Sequence, residues 1–478
     1  MILGCTSDAG KSFLAMAVCR ALANRGLKVA PFKAQNMSNN AAVTADGLEI
    51  GRAQYAQALA ARAEPDVRMN PVLIKPLSDT RGAVILNGLP APDVEAMPWM
   101  ERPRRTWPVV EASLRSLLDD FDVVVIEGAG SPAEVNLRAS DIVNMRVALA
   151  VQARSYLCSD IDRGGSLAHL LGTWHCLDPD EQRLLRGFIL NKFRGDAALL
   201  GDATGWLEER TGVPTVAVVP WIHHQLPEED RLVIRNADAT TPADSKRVGI
   251  ILYPFASNTD EFDALGAGVD IRVETVRANR PLRGYDAIVL PGSRNVTASV
   301  NWLRSVGLAD QIRAAASSGV AVLGICGGLQ ILGAAINDPL RLEGGDIAGL
   351  NLLDVTTELA AAKVTKTFRR KLLPTGDEVL GYEIHHGMTS PTQASTAVPI
   401  FDGDTGWRQG SVVGVYAHGL LEDSQFRSWW LGTFGAASTA PEVDWSVSLD
   451  AEFDRVAAHV EASGLIDHML APTVRLGP

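Results

Sequence analysis

The sequence predicts two consecutive α/β domains, each built on a doubly wound, mostly parallel sheet. Short β-rich runs alternate with helical patterns through the first half. The alternation lapses after Val219 and resumes as a second series. At 478 residues the chain is also long for one hydrophobic core.

In the first series the strands are Lys28-Val-Ala-Pro-Phe32, Asp122-Val-Val-Val-Ile-Glu127, Ser155-Tyr-Leu-Cys158, Gly187-Phe-Ile-Leu-Asn191 and Thr215-Val-Ala-Val-Val219. Between them, residues 14–23, 50–63, 109–118 and 197–210 carry helical spacing with polar faces. Pro220-Trp-Ile-His-His224 breaks the pattern, and a charged, alanine-rich stretch follows. The second series runs through Arg247-Val-Gly-Ile-Ile-Leu252, Ile271-Arg-Val-Glu-Thr275, Tyr285-Asp-Ala-Ile-Val-Leu290 and Val320-Ala-Val-Leu-Gly-Ile325. The expected boundaries are a first domain over 1–227, a linker over 228–246, a second domain over 247–440 and a helical extension over 441–478. Residues 314–337 contain no charge and approach membrane-spanning length, but serines and glycines divide them into a short strand and a helix of a buried core.

A formal net charge of −12 argues against nucleic acid or an anionic membrane surface as the main partner. Five dispersed cysteines without a C-x-x-C pair fit neither a disulfide framework nor a zinc site, which points to a reducing, cytoplasmic setting. The sequence enters a glycine loop almost at once, leaving no room for a signal segment. Only Met1 to Leu3 precede that loop, short for a central strand of ~5 residues, so either the strand is truncated or the start lies upstream.

That loop is Gly4-Cys-Thr-Ser-Asp-Ala-Gly10-Lys11-Ser12, with a helical pattern behind it. Backbone N–H groups in such a loop cradle phosphates, Lys11 reaches the terminal phosphates and the Ser12 hydroxyl ligates Mg²⁺. One more residue separates Gly4 from Gly10 than the standard pattern has. Glu127 closes an apolar strand before Gly128-Ala-Gly-Ser-Pro132, where a second acidic residue meets the metal. Lys33 and Asp46 are further candidates for the nucleotide and metal positions, although Ala45-Asp46-Gly47 also reads as a solvated turn.

In the second half, Gly324-Ile-Cys326-Gly-Gly328 follows an apolar strand and opens a helix. Such an elbow holds a thiol up for reaction, and the Gly327 N–H faces a developing oxyanion. Leu290-Pro-Gly292-Ser293 ends another strand and could supply a second N–H. A cysteine nucleophile needs a base, and His418 in Tyr416-Ala-His418-Gly is best placed by sequence. His385 and His386 compete with it, whereas His223 and His224 read as surface loop.

Together these residues carry a resemblance that spans nearly the whole chain. Thr6-Ser-Asp-Ala-Gly-Lys-Ser12, Pro31-Phe-Lys-Ala-Gln-Asn-Met-Ser38, Met69-Asn-Pro-Val-Leu-Ile-Lys-Pro76, Glu127-Gly-Ala-Gly-Ser-Pro-Ala-Glu134, Asp141-Ile-Val-Asn-Met145 and Asp160-Ile-Asp-Arg-Gly-Gly165 are its motifs in the first half. In the second they are Asn191-Lys-Phe-Arg-Gly-Asp196, Leu290-Pro-Gly-Ser293, Gly324-Ile-Cys-Gly-Gly328, Gly381-Tyr-Glu-Ile-His385 and His418-Gly-Leu420. With these the chain resembles the cobyric acid synthases, glutamine-dependent ligases of cobalamin biosynthesis.

The resemblance implies a P-loop NTPase-like ATP domain similar to dethiobiotin synthetase, followed by a class-I glutaminase domain of flavodoxin-like α/β fold. It implies ATP, L-glutamine and a corrin a,c-diamide as small-molecule substrates, Mg²⁺ as cofactor, and amidation of the b, d, e and g carboxylates. Cys326 becomes the nucleophile, His418 its partner, and Asp141 a residue that orients the intermediate; Asp141 also reads as a helix-capping aspartate. Class-I glutaminases usually carry a glutamate two residues after the histidine, but Leu420 stands there, leaving the third member of the triad open. Leu329 replaces an aromatic residue common after the elbow glycines. Two other readings remain: amidation of other corrin carboxylates, as in cobyrinic acid a,c-diamide synthases, and a partition-type ATPase with an inert glutaminase tail. The second is disfavoured because no lysine occurs between Gly4 and Gly10.

Overall fold

β-branched runs form the strands of two largely parallel sheets in a computed structural model that describes residues 1–76, 82–227, 245–266, 271–278, 280–436 and 444–471. The chain divides into one unit of Met1–Ser38, Glu49–Pro227 and Leu449–Pro478, and a second of Asn39–Leu48 and Glu228–Ser448.

The first unit contains, in chain order, β1 (Ile2–Gly4), α1 (Lys11–Asn24), β2 (Val29–Phe32), α2 (Arg52–Ala60), α3 (Pro103–Asp120), β3 (Val123–Ile126), α4 (Met145–Val151), β4 (Ser155–Asp160), α5 (Ser166–His175), β5 (Leu185–Phe193), α6 (Ala203–Thr211) and β6 (Thr215–Pro220). Strands β1, β4, β5 and β6 are parallel neighbours. β2 pairs with β3, and a parallel bridge from Ile2 to Glu127 carries the order on to β1. Every residue of β4 is buried, including Ser155, Ser159 and Asp160, as befits a central strand covered on both faces. α1 covers this sheet with Leu14, Val18 and Leu22, which join Ile2, Cys158 and Ile189 in one core.

The second unit contains β7 (Lys246–Ile251), β8 (Ile271–Val276), β9 (Ala287–Leu290), α7 (Val296–Ser305), α8 (Leu308–Ser317), β10 (Ala321–Ile325), α9 (Gly327–Leu332), β11 (Val355–Lys371), β12 (Glu378–Pro391), β13 (Gly406–Gln409), β14 (Val412–Val415) and α10 (Ser424–Gly432). Its sheet runs β8-β7-β9-β10-β14-β13 and ends on Val398–Pro399. The first five strands are parallel and β13 turns antiparallel. Beyond it, α11 (Trp445–Glu461) and α12 (Leu465–Leu470) place Phe453, Val456 and Ile466 in the core of the first unit.

The doubly wound pattern of both halves is present, with several differences from the sequence reading. Residues 39–48 leave the first unit for the second, so that unit is not continuous over 1–227. The reason is a reciprocal clamp: Asn40 Oδ1 accepts the Asn258 N–H at 2.7 Å, and Asn258 Oδ1 accepts the Ala41 N–H at 3.0 Å. The expected helix over 197–210 breaks at Gly201, whose φ of 49° and ψ of −129° lie outside any helix. Two further elements had not been anticipated: a small mixed sheet of Gln35–Met37, Val72–Pro76, Gly82–Leu86 and Leu89–Pro90, and the long antiparallel β11–β12 hairpin. Residues 228–244 of the expected linker lie outside the described residues. Residues 314–337 form the end of α8, β10, α9 and a short strand, and no described helix is long and apolar enough to cross a membrane.

Candidate active sites

The phosphate loop connects the end of β1 to α1. Gly10 has φ of 93°, and a Cβ there would overlap the Asn191 amide, which itself donates to the Ala9 carbonyl at 2.9 Å. Only glycine satisfies both the left-handed backbone and that close approach. Lys11 Nζ folds over the loop and donates to the carbonyls of Thr6 (2.9 Å), Ser7 (3.2 Å) and Gly130 (3.1 Å). This arrangement holds the ammonium between the loop and the turn after β3.

Glu127 is the hub of the site. Ser12 Oγ donates to its Oε1 at 2.7 Å, Lys33 Nζ lies 3.1 Å from the same oxygen, and Gln57 Nε2 donates to Oε2 at 2.6 Å. Burial pushes the carboxyl up, but the charge of Lys33 and the Gln57 and Ser12 donors outweigh it and hold Glu127 below the usual carboxylate range. Ser12 and Glu127 therefore offer two adjacent hard oxygens, a donor set that fits Mg²⁺. Among the described residues no group of three or more His, Cys, Asp or Glu could hold a metal by itself. Gln57 was not found in the sequence, since one glutamine on a helix carries no motif; its only signal was its place in the apolar 50–63 pattern.

Asp46 does not join this cluster. It belongs to the second unit, in a turn where Thr44 Oγ1 donates to its carboxylate and Gly47 adopts φ of 83°. The turn reading of Ala45-Asp46-Gly47 is the one the structure supports. Asp141 stands before α4, and its Oδ1 accepts the N–H groups of Val143 (2.8 Å) and Asn144 (3.0 Å). Half of its carboxylate thus serves the backbone.

In the second unit β10 delivers Cys326 to the start of α9 with φ of 52° and ψ of −106°. A non-glycine residue in that region is strained, and the surrounding close packing enforces it. A Cβ on Gly324 would lie 2.5 Å from Leu332 and 2.6 Å from the Gly328 backbone, so strand and helix approach too closely for any side chain. The Cys326 N–H donates to Val415 on β14 at 2.7 Å, fixing the elbow to the sheet. A Cβ on Gly327 would sit 2.6 Å from the Ser293 nitrogen, which places the Gly292–Ser293 turn directly opposite the elbow.

The Cys326 thiol donates to the Ile384 carbonyl at 3.6 Å, and His418 lies within electrostatic reach of its sulfur. The His418 Nδ1 lies 2.9 Å from Glu261 Oε1, while Glu261 Oε2 accepts the Gly419 N–H at 2.8 Å. Burial opposes the imidazolium, but Glu261 and the Cys326 sulfur outweigh it and raise His418 to about 10. Tyr382 stacks on the imidazole at 5.5 Å, and Gly292 leaves room beside it, since a Cβ there would lie 2.8 Å from His418 Cε1. Gly292 pairs with Ser257 in a short antiparallel ladder.

The competing histidines are engaged elsewhere. His385 Nδ1 is 2.8 Å from the Gly387 carbonyl and its ring stacks on Tyr416 at 3.8 Å. His386 Nδ1 is 3.1 Å from the Ala360 carbonyl. His223 is exposed, and His224 is half-buried with its ring 5.0 Å from Phe13.

Residues 1–233 match the CobQ/CobB/MinD/ParA nucleotide binding domain, and residues 247–426 match the CobB/CobQ-like glutamine amidotransferase domain. A cobyric acid synthase of Deinococcus radiodurans is 53% identical over 97% of this chain and 98% of its own length. One from Polaromonas naphthalenivorans is 48% identical over 98% of this chain and 99% of its own. The chain belongs to the cobyric acid synthase family. In this cobyric acid synthase family member, Leu420 is fully buried apolar packing, and Glu261 occupies the position against His418 that Leu420 cannot fill. Leu329 is likewise buried, under Gly414 of β14, where it serves packing alone.

Proposed function

We propose that the protein amidates the b, d, e and g carboxylates of adenosylcobyrinic acid a,c-diamide, using ATP and glutamine, to give adenosylcobyric acid. The reading is carried by a cysteine elbow, an imidazole–carboxylate pair and a phosphate loop on one chain that a cobyric acid synthase relative matches over 97% of its length.

In the glutaminase half, Cys326 Sγ attacks the glutamine side-chain carbonyl and ammonia leaves with a proton from His418. Water, deprotonated by His418, then releases glutamate from the thioester. Glu261 fixes the imidazole orientation and stabilises its charged form, and the Gly327 N–H, with the facing Gly292–Ser293 turn, receives the oxyanion. In the synthetase half, an acceptor carboxylate oxygen attacks the γ-phosphorus of ATP, the bond to ADP breaks, and ammonia displaces phosphate from the acyl phosphate. Lys11 neutralises the phosphates, and Ser12 and Glu127 would hold Mg²⁺. That ion, when bound, neutralises charge on the transferring phosphoryl group. Lys33 balances Glu127, and Asp141 orients the acceptor on the far side of the 128–131 turn.

Incubation with ATP, glutamine and the a,c-diamide, followed by mass, should give four successive amidations; a product stopping short of four would overturn the assignment. Cys326→Ala should lose glutamine-dependent turnover and keep turnover with ammonium salts. Lys11→Ala should lose both, and retained amidation would sink the nucleotide assignment.

A further inference from the structure

Beside the phosphate loop the first unit holds a cavity of about 380 Å³ whose wall includes Gly130, the residue whose carbonyl accepts from Lys11 at 3.1 Å. An acceptor carboxylate has to reach the phosphate that Lys11 serves, so this cavity opens where the acceptor must stand. Around it the turn Trp99–Glu101 packs on the turn Arg138–Ser140. Trp99 and Leu137 line the cavity while 43% and 44% exposed, and Met100 and Val135, the neighbours of these turns, are 54% and 63% exposed. Large apolar side chains gathered at a cavity mouth mark a ligand surface.

Two arginines line the cavity. Arg138 is already neutralised by Asp178, at 2.6 Å, and by Glu181. Arg146 stacks 4.2 Å over the Trp107 ring and has no carboxylate partner among the described residues. Asn144 also lines the cavity; its Nδ2 donates to the Ala129 carbonyl, and its Oδ1 is packed against Gly128, where a Cβ would overlap it. The site therefore offers an apolar rim and a cation for a carboxylate. Glu134 stands exposed at the lining, and Asp141 spends one oxygen on the backbone, so neither neutralises Arg146 by contact.

We propose that this cavity seats the corrin acceptor, with Trp99 and Leu137 against the macrocycle and Arg146 reading a carboxylate other than the one being phosphorylated. The proposal rests on the corrin-amidating reading above. One phosphate loop acting on four carboxylates needs the ring to be presented in several orientations. Apolar contact is non-directional and tolerates that, whereas a deep polar pocket would fix one orientation. The volume is near the lower end of ligand pockets, about 300 Å³, and so takes an edge or one side arm while the ring lies on the exposed rim.

The test is steady-state kinetics of the full chain for the first and the last amidation, with Trp99→Ala, Arg146→Ala and Arg146→Lys. Trp99→Ala should raise the corrin KM about tenfold in both steps through lost apolar contact. Arg146→Ala should raise it about tenfold for the first step, where several spare carboxylates remain, and by less for the last step, where one carboxylate besides the reacting one is left. Arg146→Lys should restore part of the loss. Corrin KM values within twofold of wild type in both alanine variants would overturn the proposal, as would a parallel rise in the KM for ATP. A wild-type chain that amidates no corrin would instead remove the reading beneath it, and the proposal with it.

Discussion

In the proposed mechanism Glu261 is the residue that orients the imidazole beside the thiol. It lies 157 positions before His418, and both side chains are buried. A neutral glutamine at this position should lower glutaminase kcat about a hundredfold, the scale of a misplaced acid–base group. The pH dependence of stability separates this role from simple packing. With the carboxylate present, the folded pKa of His418 is raised from 6.5 to about 10. Its contribution to stability is therefore complete below pH 6.5, shrinks as the pH climbs, and is gone above about 10. Denaturant midpoints measured from pH 6.5 to 10 should fall in wild type and stay flatter in Glu261→Gln; parallel curves would contradict the assignment. Cys326 and His418 were legible in the sequence because an elbow and a strand-end histidine are local patterns. Glu261, in Asn258-Thr-Asp-Glu261, has no local signature, and only the fold brings it to the imidazole.

At the scale of elements, the elbow depends on how closely β10 meets α9. Gly324→Ala would force a methyl within 2.5 Å of Leu332 and 2.6 Å of the Gly328 backbone. Backbone cannot yield as a flexible side chain can, so the substitution should cost about 1–3 kcal/mol in chemical unfolding, at the upper side of overpacking. Unchanged stability would mean that the strand and helix are less closely fitted than the structure has them. The parallel strands were the readable elements, because burial on both faces leaves continuous apolar runs. The β11–β12 hairpin was not readable: β11 mixes buried Val355, Thr357 and Leu359 with exposed alanine and lysine, and its pairing with β12 is interrupted between Leu359 and Val364. Such a strand lacks the clean two-residue period that marks half-buried sheets. The insertion over 39–48 was hidden for another reason: its anchor is a pair of asparagines, Asn40 and Asn258, whose exchange of hydrogen bonds has no sequence period at all.

Over the whole molecule, order along the chain and order in space part company at the C-terminal end. Sequence places α11 and α12 after the glutaminase region, yet they complete the core of the nucleotide-binding unit. The link to α1 is electrostatic as well as apolar. The fully buried guanidinium of Arg20 meets Asp454 and Asp450, each at 2.7 Å, and Asn24 donates to Asp454 at 2.8 Å. Hydrogen bonding to Arg20 holds the Asp454 carboxyl down at about 2, although burial opposes it. Helix α1 is also the helix that begins with Lys11, so what steadies its far end steadies the phosphate loop. Replacing Asp450 and Asp454 together by asparagine leaves a buried cation without its counter-charges. The cost should be about 2–4 kcal/mol, somewhat below that of a fully buried pair because the carboxylates are half-exposed. Hydrogen exchange resolves where the cost falls: amides of α1 should exchange faster in the double variant while those of β10 and α9 keep the wild-type rate. Equal acceleration in both units would show that the C-terminal helices belong to the stability of the whole chain rather than to the unit that carries the phosphate loop.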